Sequence, residues 1–176
     1  MERMYKENRP IIMETKIIIE NQRQYFQTRA TRDIEMLKGR LVKLRVEILK
    51  REDAIYEALY KDFKKSKFES FFSEVGIIIS EIDATLKHID SWSKPKRIRA
   101  AGLNFPSKDY IYSEPYGTVL VIAPWNYPFQ LAVAPVIAAI AAGNTVVLKP
   151  SEHTTHTSQL LEDILNAVFI PEHLKV

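Results

Sequence analysis

Residues 116–152 read YGTVLVIAPWNYPFQLAVAPVIAAIAAGNTVVLKPSE, and their order decides the fold. Residues 117–123 (GTVLVIA) are a continuous apolar run of strand length, the pattern of a strand covered on both faces. Residues 124–128 (PWNYP) form a turn in which Pro128 suits a first helical turn, where its missing N–H costs nothing. An alanine-rich helix is predicted over 129–142; its small side chains let it lie close to a sheet, and Pro135 is expected to kink it. Gly143 and Asn144 end that helix, because both residues tolerate the left-handed backbone of a helix terminus. Residues 145–148 are a second buried strand, closed by Lys149, Pro150, Ser151 and Glu152. A further helix is predicted over 155–168, with Leu160, Leu161, Ile164, Leu165 and Val168 facing inward. A strand, a helical crossover, a parallel strand and another helix begin a doubly wound sheet, so the fold class is α/β. A third parallel strand is expected where the chain reaches Val176, and the sheet therefore reads as truncated.

Upstream, the text is helical. Residues 1–12 show no periodicity and read as a disordered leader or the product of an upstream start codon. A moderately patterned helix covers residues 17–29. Ile34, Leu37, Leu41, Leu44 and Ile48 step by three and four along one helix face, with Asp33 as its N-cap. Ile55, Ala58, Leu59 and Phe63 continue in helical register until residues 61–67 (KDFKKSK) break it. Ser66 and Glu69 have the spacing of a capping box. The helix they open carries the stripe Phe68, Phe71, Val75, Ile78, Ile82, Leu86, Ile89 and Trp92, ending at Pro95. Gly76 inside it points to close helix packing. Tyr110, Ile111 and Tyr112 form a short β-prone run. The domain reading is a leader at 1–12, a helical segment at 13–106, a strand segment at 107–115 and the first half of a ligand-binding sheet domain at 116–176.

Composition narrows the chemistry. At 176 residues and 46% hydrophobic, the chain can bury one core. A net charge of +3 is too small to argue for nucleic acid, and the basic run at 94–99 (KPKRIR) has no interleaved aromatic residue for base stacking. That run reads as a solvated helix exit, and no nucleic-acid partner is assigned. The chain has no cysteine, hence no disulfide, thiolate metal site or thiol nucleophile. The most apolar window, residues 131–142, is too short to span a bilayer, so no membrane span is expected and the cytoplasm is the default compartment.

Three polar groups sit where the strands end. Asn126, in the turn after the first strand, can donate N–H to a developing oxyanion or can cap the helix and brace the turn. Lys149 and Glu152, after the second strand, can grip ribose hydroxyls or form an exposed ion pair. His153 and His156 lack further ligands, so no metal site is assigned. The five glycines are scattered and form no phosphate loop.

The segments 114–117 (EPYG), 124–128 (PWNYP), 141–144 (AAGN) and 148–152 (LKPSE) together resemble the aldehyde dehydrogenase superfamily. NQRQYF at 21–26, FESFFSEVG at 68–76 and WSKPKR at 92–97 are most similar to its class 3 branch, and the resemblance runs from about Met13 to the end. It implies a Rossmann-like cofactor domain, with Asn126 holding the oxyanion of a thiohemiacetal. It further implies that Lys149 and Glu152 grip the adenosine ribose of NAD, with NADP possible, and that Pro124 and Trp125 lie beside the cofactor. The strand at 110–112 would belong to a hairpin used for subunit pairing, implying a homodimer acting on an aldehyde. The family's cysteine nucleophile, glutamate base and cofactor glycine turn lie later in its sequence. The expectation is thus an N-terminal portion, inactive alone because the chemistry needs a thiolate. The alternative is a non-catalytic module that binds nucleotide weakly or pairs with a subunit.

Overall fold

The computed structural model describes residues 9–99, 102–104 and 106–176. Residues 1–8 of the expected leader lie outside this set. Helix α1 (Arg9–Gln27) begins inside the remainder of that leader, eight residues ahead of the predicted start at Ile17. A 3-10 turn (Ala30–Arg32) leads into α2 (Ile34–Lys50), whose N-cap is Asp33: its carboxylate accepts from the N–H groups of Glu35 and Met36. The predicted stripe Leu37, Leu41, Leu44 and Ile48 is buried along α2. Helix α3 (Glu52–Phe63) ends at Lys64, which adopts a left-handed backbone (φ 59°) and so turns the chain sharply.

The long helix predicted from residue 67 is not uniform. A short α4 (Lys67–Ser70) passes through a π turn (Phe71–Val75) into α5 (Gly76–Trp92). The wider turn takes up one extra residue, which rotates everything before it by about 100° relative to a continuous helix. The stripe therefore holds for Val75, Ile78, Ile82 and Ile89 but fails upstream: Phe68 and Phe71 face solvent, while Ser70 and Glu74 are buried instead. Trp92, at the other end of the stripe, is also exposed. Gly76 serves the π turn itself, since its N–H bonds to Phe71 O and a Cβ there would sit 3.0 Å from that oxygen. Of the expected capping box, Ser66 accepts from the Glu69 N–H.

The basic run after α5 is in part a strand. β1 (Lys96–Ile98) pairs antiparallel with β2 (Asp109–Ile111), in a hairpin that presents Tyr110, Ile111 and Tyr112 to solvent. The second sheet is parallel, in the order β3 (Thr118–Ile122), β4 (Thr145–Lys149), β5 (Leu174–Lys175). Helix α6 (Gln130–Ala141) joins β3 to β4 and runs on through Pro135, and α7 (Thr155–Asn166) joins β4 to β5. The third parallel strand thus starts at Leu174, just before the expected place. β4 is covered by neighbours on both edges, whereas β3 is an edge strand: Leu120 and Ile122 are 61% and 67% exposed, so the reading of a strand covered on both faces holds for only one face. Helices α2, α5, α6 and α7 share one continuous core with β4 and β5. Helix α1 packs on β3 and β4, and its buried Gln22 donates from Nε2 to Val146 O (2.7 Å).

Candidate functional site

The parallel register brings the two polar strand ends together. Ile122 lies opposite Lys149, and the N–H of Ala123 continues the ladder to Lys149 O (3.0 Å). Pro124, Trp125, Asn126 and Glu152 therefore all emerge at one edge of the sheet, its C-terminal edge. Such an edge is open by construction, because the strands end before the crossover helices close over them.

Asn126 occupies the bend between β3 and α6 and is exposed. Its carboxamide makes no hydrogen bond to any described residue. The capping that an asparagine at this place could do is done by Glu74, from the π turn: its Oε2 accepts from the N–H groups of Phe129 (2.9 Å) and Gln130 (3.2 Å), the first free donors of α6. A carboxylate there also favours the positive end of the helix dipole. The other oxygen, Oε1, accepts from Lys65 Nζ at 2.5 Å; Glu74 is fully buried and Lys65 is 8% exposed. Lys65 Nζ in turn donates to the Asn126 backbone carbonyl (3.3 Å) and lies 4.3 Å from the centroid of the Tyr127 ring. Trp125 is exposed on one side and stacks on Phe63 at 6.4 Å between centroids. The turn is thus gripped from the helical segment, while the Asn126 side chain is left unoccupied.

Lys149 Nζ and Glu152 form an exposed ion pair at 2.6 Å, and the hydrogen bond from Lys149 holds the Glu152 carboxyl below its usual range. In water such a pair contributes little to stability, so its groups are available to a ligand. The pair offers a cation donor beside a carboxylate acceptor, the combination that fits a vicinal diol. Next to it, Ser151 and Thr154 are buried in the turn that starts α7, and Asp62 of α3 caps that helix by accepting from Thr157 N (2.8 Å) and Oγ1 (2.7 Å). His153 and His156 belong to this turn, and no group of three or more His, Cys, Asp or Glu side chains that could hold a metal occurs among the described residues.

Comparison with known proteins decides the family. Residues 13–175 match the sequence profile of the aldehyde dehydrogenase family. The chain belongs to that family. Among its relatives, the 4,4'-diaponeurosporen-aldehyde dehydrogenase of Staphylococcus aureus is 43% identical over 152 residues, covering 86% of this chain and 33% of the relative. A family 3 member B2 aldehyde dehydrogenase of Mus musculus is 40% identical, over 81% of this chain and 30% of its own length. A solved substrate-bound structure of Staphylococcus aureus AldH superposes with a TM-score of 0.90 at 41% identity, covering 92% of this chain and 35% of that one. A succinic semialdehyde dehydrogenase of Streptococcus pyogenes, solved with NADP+, shares the fold at 19% identity with a TM-score of 0.78. The chain spans about a third of the length of these relatives and corresponds to the N-terminal portion of a class 3-like aldehyde dehydrogenase.

Within this aldehyde dehydrogenase segment, sequence reasoning missed Lys65 and Glu74. Lys65 lies in the run at 61–67, which reads only as a break in helical register. Glu74, one turn before Ile78, lies on the flank of the stripe, and its charge gave no reason to place it in the core. The one available signal was Gly76, whose cost in a helix asked for a local reason. The paired strands Lys96–Ile98 and Asp109–Ile111 form an exposed two-stranded sheet of their own, separate from the sheet that carries the site.

Proposed function

We propose that this segment supplies half of an aldehyde dehydrogenase site: Asn126 as an oxyanion donor, and Lys149 with Glu152 as a clamp on the ribose of NAD. The observation that carries the reading is the unoccupied Asn126 carboxamide, freed from capping because Glu74 performs it, at the same sheet edge as the Lys149–Glu152 pair. When a thiolate adds to an aldehyde carbonyl, the oxygen becomes an alkoxide, and an N–H held ready for it lowers the barrier by electrostatic preorganisation. Asn126 has two such N–H groups. The thiolate itself comes from outside these 176 residues, which contain no cysteine, so the chain alone is inactive on aldehydes in this reading. When bound, the nicotinamide cofactor accepts the hydride released in the oxidation to the carboxylic acid. The Glu152 carboxylate can accept from both ribose hydroxyls and would repel a 2′-phosphate, which favours NAD over NADP. Pro124 and Trp125 then form the wall beside the cofactor. The exposed Tyr110 and Ile111 of β2, with Tyr112 just after it, support pairing of two subunits through the hairpin. No described helix is long and apolar enough to cross a membrane, and the absence of cysteine suits a cytoplasmic setting.

The test is a subunit in which residues 13–175 replace the matching third of the Staphylococcus aureus relative. Asn126→Ala is expected to lower kcat about 100- to 1000-fold, the range for removing one oxyanion donor. Glu152→Gln is expected to weaken NAD and narrow the preference over NADP while leaving kcat at saturation near its starting value. An Asn126→Ala subunit with undiminished kcat, or a Glu152→Gln subunit with undiminished NAD affinity, sinks the corresponding assignment.

A further inference from the structure

We propose that the buried Lys65–Glu74 pair is a positioning device for Asn126, setting the turn from which the oxyanion donor projects. The proposal rests on the reading of Asn126 as that donor. Its support is the number of turn groups that two side chains hold at once. Glu74 divides its oxygens between Lys65 and the N–H groups of Phe129 and Gln130, while Lys65 reaches the Asn126 carbonyl and lies over Tyr127. Lys65 also lies 5.6 Å from the centroid of Phe63, the ring on which Trp125 stacks. Trp125, Asn126, Tyr127, Phe129 and Gln130 each meet this cluster or the ring beneath it.

The local backbone is built to deliver these two groups. The left-handed Lys64 ends α3 and turns Lys65 inward. The π turn holds Glu74 in the core beside Val75, while Phe68 and Phe71 are exposed. Neither feature improves the apolar core. A buried ion pair adds little stability over apolar residues of the same shape, because desolvation offsets the attraction. What the pair does supply is direction: charge-assisted bonds of fixed geometry to one turn. A donor displaced by about 1 Å from the developing alkoxide loses much of its effect, on the order of 100-fold in rate. Lys65 and Glu74 touch the backbone of the turn and not the reacting atoms, so their role is positioning.

The measurement is kinetic, in the same hybrid subunit, with the doubly neutralised variant Lys65→Met/Glu74→Gln. That variant leaves no unpaired buried charge and keeps an oxygen to accept from α6. The expected result is a fall in kcat of about 10- to 100-fold with the KM for NAD within about threefold. Combined with Asn126→Ala, the same double change should cost less than about threefold more, because groups acting through one residue are not additive. Lys65→Arg, which restores a cation on Glu74, should recover most of the rate lost by Lys65→Met. In the 176-residue chain itself, the variant should speed amide hydrogen exchange at Phe129 and Gln130 and shift the Asn126 side-chain amide resonances. The proposal is overturned if the double variant keeps kcat within about threefold while Asn126→Ala lowers it. It is equally overturned if the two losses multiply in full, which marks general destabilisation. An Asn126→Ala subunit of normal kcat removes both this proposal and the oxyanion reading, so the two failures are told apart by that single variant. If the hybrid does not fold with the double change, unaltered exchange and side-chain amide shifts in the Glu74→Gln chain overturn the proposal, and altered ones support it.

Discussion

Acid should destabilise this segment through one imidazole. His173 is fully buried just before β5, 5.7 Å from the ring of Tyr25 and edge-on to Phe169 at 5.4 Å. Neither ring nitrogen has a hydrogen-bond partner of good geometry among the described residues. Burial, and then the nearby charge of Arg40, push its pKa from 6.5 down to about 4, with the backbone of Asn144 opposing them. Because the folded value is depressed, the unfolded chain binds more protons between the two values. Stability from the neutral ring is complete above about pH 6.5 and is lost as the pH falls toward 4. Worked from those two values, the loss is about 2 kcal/mol by pH 5 and about 3 kcal/mol by pH 4. A domain of total stability about 5–15 kcal/mol would feel that strongly. The assay is urea unfolding followed by circular dichroism across this pH range, for the native chain and for His173→Phe. Phenylalanine keeps an aromatic ring between Tyr25 and Phe169 but does not titrate, and carboxylates common to both proteins cancel in the difference. The stability gap should shift in favour of His173→Phe by about 3 kcal/mol between neutral pH and pH 4. Parallel pH curves for the two proteins, or an imidazole that titrates near 6.5 by NMR in the folded chain, would refute the reasoning.

Three further predictions concern stability. Asp62→Ala removes the cap that α3 supplies to α7, including both bonds to Thr157, and should cost about 1–2 kcal/mol in thermal unfolding; an unchanged Tm contradicts it. Gly143→Ala should cost about 1–3 kcal/mol, because φ is +84° and a Cβ would lie 2.9 Å from Thr31 O. Gly39→Ala, in the middle of α2 with nothing within 4 Å of the added carbon, should stabilise by about 0.5–1 kcal/mol, and equal effects at the two glycines would refute the argument from backbone conformation.

Much of the fold was legible because its signals are local. The step of three and four through Leu37, Leu41, Leu44 and Ile48 predicts the buried face of α2, and Asp33 predicts where it starts. The apolar runs on either side of an alanine-rich helix predict two parallel strands joined by a crossover, and the parallel pairing of β3 with β4 follows. The errors also have local causes. The 3.6-residue period that places Phe68 and Phe71 inward runs through a segment where the turn is wider, and one extra residue turns that face by about 100°, away from the core. The strand at Lys96–Ile98 was hidden by its charge, since a hairpin exposed to water needs no apolar alternation.

Sequence alone determined which groups stand at the sheet edge: Asn126 after the first strand, Lys149 and Glu152 after the second. Their positions follow from where apolar runs stop, and that can be read residue by residue. It could not decide whether Asn126 caps its own helix or is free to act. That choice depends on a carboxylate 52 residues upstream, brought to the amides of Phe129 and Gln130 by a π turn and neutralised by Lys65. Hydrogen bonds to a helix end are short-range and saturable, so whichever group arrives first in space takes the donors. Only the tertiary structure shows that Glu74 takes them, and so leaves the Asn126 carboxamide unoccupied.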